Sequence, residues 1–318
     1  MWLYAGRRLL MTVPISLGVT AICFALIYLA PGNPVQSLLP PDATAKDIAE
    51  LKHAYGLDKP IPIQYLIWVS HALTGNLGIS IQTNRPVLFE VMRALANTIP
   101  IALISVVLAF AIALGLGILA ATHVGGLVDR LSTAVAVLGI SIPSFWLGVI
   151  LVIAFAVELG WLPATGMGSE GSAGFTWFSW SQAKYAVMPI IALTMTPLGI
   201  LMRTTRSSIA DVLAHDFVQT LRAKGLSRSA IVVHAIRNAL PQILAMFGLQ
   251  LGYLLGGSIL VETVFTWPGT GFLLSKAILT RDIPLLQGTI LVLAMAFVLI
   301  NLAVDLLQTA VDPRIKRA

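Results

Sequence analysis

Charged residues are scarce in this chain of 318 residues, in which Asp, Glu, Lys and Arg together make up 11%. A soluble domain carries about 25% of such residues. Hydrophobic residues make up 57% of the chain, so water is not its main solvent. The charged residues are also unevenly distributed along the chain, because six long runs contain none at all. A run of about 18 or more such residues is long enough to cross a bilayer as a helix.

The sequence therefore predicts six membrane-spanning helices, since a helix satisfies its backbone polar groups internally and lipid cannot satisfy them. The six uncharged runs are 9–30, 97–122, 131–157, 185–202, 240–261 and 283–304. Pro143 in the third run, and Pro189 and Pro197 in the fourth, are expected to kink or locally break their helices. The predicted fold class is an all-α integral membrane protein.

Sequence features typical of disulfide-bonded, ATP-binding and hydrolytic proteins are missing. The lone Cys23 cannot form an intrachain disulfide, and we interpret it as a small buried residue of the first run. The phosphate-binding pattern Gly-x-x-x-x-Gly-Lys-Ser/Thr does not occur, so the chain has no visible means of holding ATP. The absence of Gly-x-Ser-x-Gly and His-Glu-x-x-His argues against an intramembrane hydrolase. We expect no catalytic residue, no metal site and no cofactor.

The distribution of positive charge predicts the orientation in the membrane. Six crossings place both termini on one side, and cytoplasmic segments carry an excess of Lys and Arg. With the termini inside, the interior segments hold twelve Lys and Arg against five acids, and the exterior segments hold eight against nine. The basic residues flank helices without an aromatic platform, so we expect lipid rather than nucleic acid as a partner.

This topology divides the chain into four predicted parts. Residues 1–30 form a cytoplasmic tip and the first helix, 31–96 an extracytoplasmic segment, 97–304 a transmembrane core that includes the interior connection 203–239, and 305–318 a cytoplasmic tail. The extracytoplasmic segment is expected to be helical. Asp42 or Thr44 caps a first helix that ends near Tyr55, an amphipathic stretch follows over 64–73, and a turn comes at Gly75.

Ionisable residues near the predicted spans are few. Glu158, Glu262 and Asp305 each fall at the end of a run, where headgroup water is within reach, so we predict interfacial positions for all three. A proton relay is the alternative, because a charge inside a membrane is a functional candidate. Their scarcity argues against a proton-coupled transporter without excluding one.

Glycines recur at four-residue intervals in the fifth run. Gly248, Gly252 and Gly256 form a stripe that lets a second helix approach closely, and we predict helix packing for them. Lining of a translocation path and contact with a second transmembrane subunit stay open as alternatives.

The interior connection 203–239 is far longer than a simple helical turn requires. It predicts a helix that ends at Lys224, because Gly225 suits the left-handed position after a helix and Leu226 is its apolar follower. Ser227 is suited to cap the next helix. Two helices that meet at this glycine form a compact elbow. Composition alone favours a solvated basic loop that only satisfies the topology.

The same segment resembles the cytoplasmic EAA loop of ABC importer permeases, in which a Glu-Ala-Ala-x-x-x-Gly core forms the coupling helix. Here Gln219, Thr220 and Leu221 occupy the first three positions and Gly225 matches the glycine. RAKGLS followed by HAIRNALP is similar to the version in dipeptide, oligopeptide and nickel permeases. The resemblance implies an ATPase-coupling loop made of Gln219, Thr220, Leu221, Arg222, Ala223, Lys224, Gly225, Leu226 and Ser227.

Further stretches carry the resemblance along almost the whole chain. They are RRLL, LAPGNP, YGLDKPIPIQYLIWV, GNLGIS, SIPSFWLGVILVI, GWLPATG, VETVFTWPGTGFLL, RDIPLLQG and DPRIK. Together they are similar to the B-type permease of the dipeptide, oligopeptide and nickel ABC importers.

That family implies the type I importer permease fold in a bacterial or archaeal inner membrane. It also implies a second homologous permease, two ATP-binding subunits and an extracytoplasmic solute-binding protein. The expected cargo is a dipeptide or oligopeptide, with a nickel chelate, glutathione or another solute left open.

Overall fold

A computed structural model describes residues 59–168 and 171–311, together with 10, 13–14, 16–22 and 24–25 of the amino-terminal region. The side chains of 173, 305 and 307–311 are outside the described part. Regular structure in these ranges is helical, apart from one isolated bridge between Ile79 and Pro86. The helices are α1 (Ile61–Leu73), α2 (Val87–Thr122), α3 (Leu127–Ser141), α4 (Ser144–Leu151), a π-helix (Val152–Glu158), α5 (Gly171–Gly174), α6 (Trp180–Ala214), α7 (Asp216–Ala223), α8 (Arg228–Gly257), α9 (Ile259–Val264), α10 (Thr270–Leu279) and α11 (Ile283–Val311).

Four helices among the described residues are long and apolar enough to cross a membrane. They are α2, α8, and the Trp180–Leu213 and Ile283–Val304 parts of α6 and α11. They coincide with the second, fifth, fourth and sixth predicted runs, although the fifth stops at Gly257 and a separate short helix, α9, follows. The first run, 9–30, falls largely outside the described residues, so six crossings stay a prediction.

The third run is not a single helix. Its two parts, Leu127–Ser141 and Ser144–Glu158, are bent by 95°. The break is at Pro143, where extended backbone begins α4, because a proline excludes the residue before it from helical geometry. The break predicted at Pro143 is confirmed. Pro189 and Pro197, by contrast, lie within the continuous α6, where no break occurs.

Glycines bring α3 and α6 into backbone contact. A Cβ atom added at Gly139 would lie 2.7 Å from the carbonyl oxygen of Met195, and one at Gly199 would collide with the carbonyl oxygen of Ala136. Only a residue without a side chain permits such an approach. The bent third segment is therefore fixed against the middle of α6.

Two of the three glycines in the α8 stripe lie close to side chains of α11. A Cβ atom at Gly248 would collide with Val304 of α11, and one at Gly252 would lie 2.7 Å from the ring of Phe297. At Gly256 the prediction of packing is not supported within the described chain, because a Cβ atom there would meet nothing within 4 Å. The reason is the direction of α11, which contacts only the earlier part of the stripe.

The connections gather at two opposite ends of the helix bundle. At one end, the side chain of Arg228 at the start of α8 donates to the carbonyl oxygen of Thr122 at the end of α2. At the other end, the backbone N–H of Gly166 donates to Phe265 at 2.8 Å, and Asn97 Nδ2 donates to the carbonyl oxygen of Pro268 at 2.8 Å. The α2–α3 turn and the α6–α8 connection therefore lie on the same side of the protein.

The segment before α2 is helical where the structure describes it. Helix α1 contains the amphipathic stretch predicted over 64–73, and Gly75 follows with φ of +81°, which confirms the predicted turn. The helix predicted to end near Tyr55 lies outside the described residues.

Candidate coupling site

The coupling loop predicted from the resemblance forms a surface between α6 and α8. Helix α6 ends at Ala214, the backbone of His215 is extended, and α7 then begins with Asp216. The acidic side chain in the first turn of α7 suits the positive end of the helix dipole. Val218 is buried and anchors α7, whereas Gln219 and Thr220 are exposed.

Of the nine predicted residues, none is buried. Leu221 and Leu226 are half-buried, and the exposed ones are Gln219, Thr220, Arg222, Ala223, Lys224, Gly225 and Ser227. The structure thus brings all of them together on one accessible surface, which we call the elbow (residues 219–227). A surface of this kind is available to a partner protein.

The bend of the elbow is formed by Gly225, whose φ is +77°. Its backbone N–H donates to the carbonyl oxygen of Arg222 at 2.9 Å, and the N–H of Leu226 donates to Leu221 at 3.2 Å. These two bonds are the pair that defines a Schellman motif. A Cβ atom at Gly225 would meet nothing within 4 Å, so the backbone conformation and not the available space requires glycine. The predicted stop is confirmed, with α7 ending one residue earlier than expected.

Ser227 begins the second arm of the elbow. Its side-chain oxygen accepts the backbone N–H of Ala230 at 3.3 Å, so the predicted N-cap of α8 is confirmed. A cap of this kind stabilises a helix by about 1 kcal/mol. Both arms of the elbow therefore have a defined start or end, so the elbow has regular local structure on an exposed surface.

Glu262 was predicted to reach headgroup water at the end of a span, and the structure buries it within the protein instead. Its carboxylate is fully buried and accepts hydrogen bonds from the hydroxyls of Thr98 at 2.8 Å and Ser258 at 2.9 Å. The backbone N–H groups of Gly271 and Phe272 donate to its second oxygen at 2.7 and 3.1 Å. Burial raises the pKa of Glu262, and the donated hydrogen bonds only partly offset that rise. Glu262 therefore joins α2, α9 and α10 at the end of the protein opposite the elbow.

The other two residues predicted at interfaces have different outcomes. Glu158 is exposed at the end of the π-helix, as expected for an interfacial position. The side chain of Asp305 is outside the described residues.

Asp282 is a second buried carboxylate, which sequence reasoning missed. One oxygen accepts the hydroxyl of Ser80 at 2.5 Å and the N–H of Gln82 at 3.1 Å. The other accepts the N–H of Leu285 at 3.2 Å, so Asp282 caps α11. The signal was present in the sequence, because Asp followed by Ile and Pro284 is typical of a helix start.

Comparisons with known proteins agree with this architecture. Residues 113–317 match the family described as binding-protein-dependent transport system inner membrane component, and residues 1–102 match its amino-terminal counterpart. The chain is 41% identical to the dipeptide transport system permease protein DppB of Alkalihalophilus pseudofirmus, with 98% of this chain and 99% of that protein aligned. It is 38% identical to the glutathione transport system permease protein GsiC of Salmonella typhimurium, with 98% of each aligned.

A solved structure supports the fold. The MetNI methionine ABC transporter in an inward facing conformation aligns with a TM-score of 0.57 and 20% identity, over 70% of this chain and 97% of that one. At this identity the likeness bears on the fold alone.

The relatives are subunits of transport systems, so the expectation of a transport subunit rather than an enzyme is confirmed. The apolar helices make the chain a multi-pass inner membrane protein. Family matches cover nearly all of the sequence, and the predicted resemblance is confirmed by them. The chain belongs to the family of binding-protein-dependent transport system inner membrane components.

Proposed function

We propose that this chain is one of two homologous permease subunits in an ATP-driven importer of dipeptides or oligopeptides. The family works in general with ATP-binding subunits and a binding protein. A second permease and two ATP-binding subunits complete the proposed assembly. Because the sequence lacks a phosphate-binding loop, the energy for transport comes from those partner chains.

The exposed elbow is the observation that carries this proposal. Its Gly225 bend and its Ser227 cap give it a fixed shape, and Arg222 and Lys224 give it positive charge. The elbow continues directly into α8 and is joined to α6 through His215 and the first turn of α7; α6 and α8 are two of the four long apolar helices. A push on the elbow is thereby delivered to two spans at once, which is what a coupling element requires.

The proposed topology has six crossings, with the elbow and both termini in the cytoplasm. Two features support it. The α2–α3 turn and the elbow share one end of the bundle, as the predicted order of crossings requires. The interior segments also hold the excess of Lys and Arg. This topology divides the chain into the parts 1–30, 31–96, 97–304 and 305–318. Residues 31–96 are then extracytoplasmic, and the 203–239 connection within the third part is cytoplasmic.

The mechanism follows from the geometry. Closure of the ATP-binding subunits moves the elbow, α6 and α8 tilt with it, and the close backbone contact at Gly139 and Gly199 carries α3 along. The cavity between the two permeases then changes the side to which it opens.

The cargo is proposed from the names of the relatives, which are permeases for dipeptides and for glutathione. Both are short peptides, so we propose short peptides as the substrate class. The test is uptake of labelled dipeptide into vesicles that contain the permease pair and the ATP-binding subunits. We expect uptake only with ATP and the cognate binding protein. Uptake driven by a proton gradient without ATP would contradict the proposal and favour a secondary transporter.

A further inference from the structure

Two arginines, one on each side of the elbow, bind residues at the two ends of the turn between α2 and α3. Arg206 lies on α6, about two helical turns before that helix ends at Ala214. Arg228 is the first residue of α8, directly after the elbow. The turn itself comprises residues 122–126.

The bond to Arg206 is made through Asp129 in the first turn of α3. Nε of Arg206 donates to Oδ1 of Asp129 at 2.6 Å, and Nη2 donates to Oδ2 at 2.9 Å. Two parallel bonds of this kind fix the relative orientation of the two side chains. Asp129 is 5% exposed, so water competes little for its carboxylate.

Asp129 also holds the turn. The backbone N–H of Gly125 donates to its Oδ2 at 2.9 Å, and Gly125 has φ of +79°. The carboxylate thus joins α6 to the turn as well as to α3. On the far side of the elbow, Nη2 of Arg228 donates to the carbonyl oxygen of Thr122 at 3.0 Å.

The space between the elbow and the turn is open. A cavity of about 470 Å³ separates them, with Thr122 and Val124 of the turn on one wall and Arg222 and Leu226 of the elbow on the other. Polar links thus join the two at the edges of the cavity, beside an apolar cluster in which Ala121 of α2 packs with Ile209 of α6 and Ala235 of α8.

We propose that the α2–α3 turn is a second part of the coupling unit, and that Arg206, Asp129 and Arg228 are the positioning residues that make it move with the elbow. The chain itself connects the elbow only to α6 and α8. Through these three residues, displacement of the elbow also reaches the α2–α3 turn, in addition to the backbone contact at Gly139 and Gly199 that links α6 to the middle of α3. This inference rests on the proposed coupling role of the elbow.

The first experiment compares Arg206→Gln with Arg203→Gln in the reconstituted importer. Arg203 is an exposed arginine one turn earlier on the same helix. We expect Arg206→Gln to assemble with the ATP-binding subunits and to hydrolyse ATP, while transport per ATP falls about tenfold, within the range of coupling between sites. We expect the Arg203→Gln control to transport as much peptide per ATP hydrolysed as the unmodified importer. An assembled Arg206→Gln importer with the normal ratio overturns the inference.

The second experiment covers the case in which Arg206→Gln fails to fold. Val124→Cys and Val232→Cys, at two positions that line the cavity on opposite elements, are introduced together with Cys23→Ser, and the two thiols are joined by a short reducible cross-linker. We expect transport to continue after cross-linking, because the turn and the elbow move as one body. Loss of transport on cross-linking and its recovery on reduction overturn the inference.

Failure of the coupling role itself would look different. In that case the elbow would not contact an ATP-binding subunit, and Arg206→Gln, Gly225 variants and the control would share one transport-to-hydrolysis ratio. If Gly225 variants transported less peptide per ATP while Arg206→Gln kept the ratio of the unmodified importer, only the proposed role of the α2–α3 turn would be rejected.

Discussion

The hydroxyl of Thr98 donates to the carboxylate of Glu262 at 2.8 Å, across 164 positions of the chain. It is one of four hydrogen bonds that the buried carboxylate of Glu262 accepts. It ties the start of the second predicted span to the connection after the fifth. The end of the bundle opposite the elbow is thus held together by a polar anchor, whereas the other end presents the exposed elbow.

Replacement of Glu262 by Ala is expected to destabilise the protein strongly. It removes the acceptor of four hydrogen bonds, and of the four donors the Thr98 hydroxyl has the Thr270 hydroxyl as another partner at 3.1 Å; each buried group left unsatisfied costs about 1–3 kcal/mol. Thermal unfolding of the full-length chain in detergent is the measurement, with the exposed Glu158→Ala as the matched control. Equal thermal unfolding midpoints for Glu262→Ala and Glu158→Ala would show that Glu262 does not anchor this end of the protein.

Replacement of Gly225 by a residue with a side chain is expected to impair transport through backbone strain. A left-handed conformation costs an ordinary residue about 1–2 kcal/mol, and Asn tolerates it better than most. We expect transport to decrease in the order Gly, Asn, Ala, Val, measured as peptide uptake at equal amounts of assembled importer. Full activity of Gly225→Val would mean that the Schellman bend is not needed.

The glycines of α8 predict opposite results at two positions. Gly248→Leu places a side chain against Val304, and overpacking of this kind costs about 1–3 kcal/mol. Gly256→Leu enters open space and is expected to leave the thermal midpoint of the single chain unchanged. Similar losses at both positions would contradict the packing found between α8 and α11.

Removal of the Asp282 carboxylate is expected to loosen the connection before α2. Asp282→Ala loses the α11 cap and the bonds to Ser80 and Gln82. A lost cap alone costs about 1 kcal/mol. Limited proteolysis should then cleave within 74–86 faster than in the unmodified protein, whereas Asp216→Ala at the opposite end should leave that rate unchanged. Equal cleavage of both variants would contradict the anchoring role.

Local signals allowed the elbow to be predicted from the sequence. The stop at Gly225 and the cap at Ser227 each depend on a few neighbouring residues, and so does the break at Pro143. The uncharged runs likewise located four long helices. These features need no knowledge of which helix packs against which.

The remaining features depend on contacts between distant parts of the chain. Glu262 was placed at an interface because its sequence neighbourhood ends a hydrophobic run, and nothing local identifies Thr98 as its donor. The pair of Asp129 and Arg206 is 77 positions apart, and the 95° bend is set by packing on α6. The open space at Gly256 depends on where α11 crosses α8.

The most direct measurement is photo-cross-linking from the elbow in intact cells. A photoreactive amino acid replaces Thr220 or Lys224, and Phe178, which is fully exposed at the opposite end, serves as the control position. The account predicts a cross-link from the elbow to an ATP-binding subunit and none from position 178. Cross-links from the elbow to the extracytoplasmic binding protein, with none to an ATP-binding subunit, would contradict it.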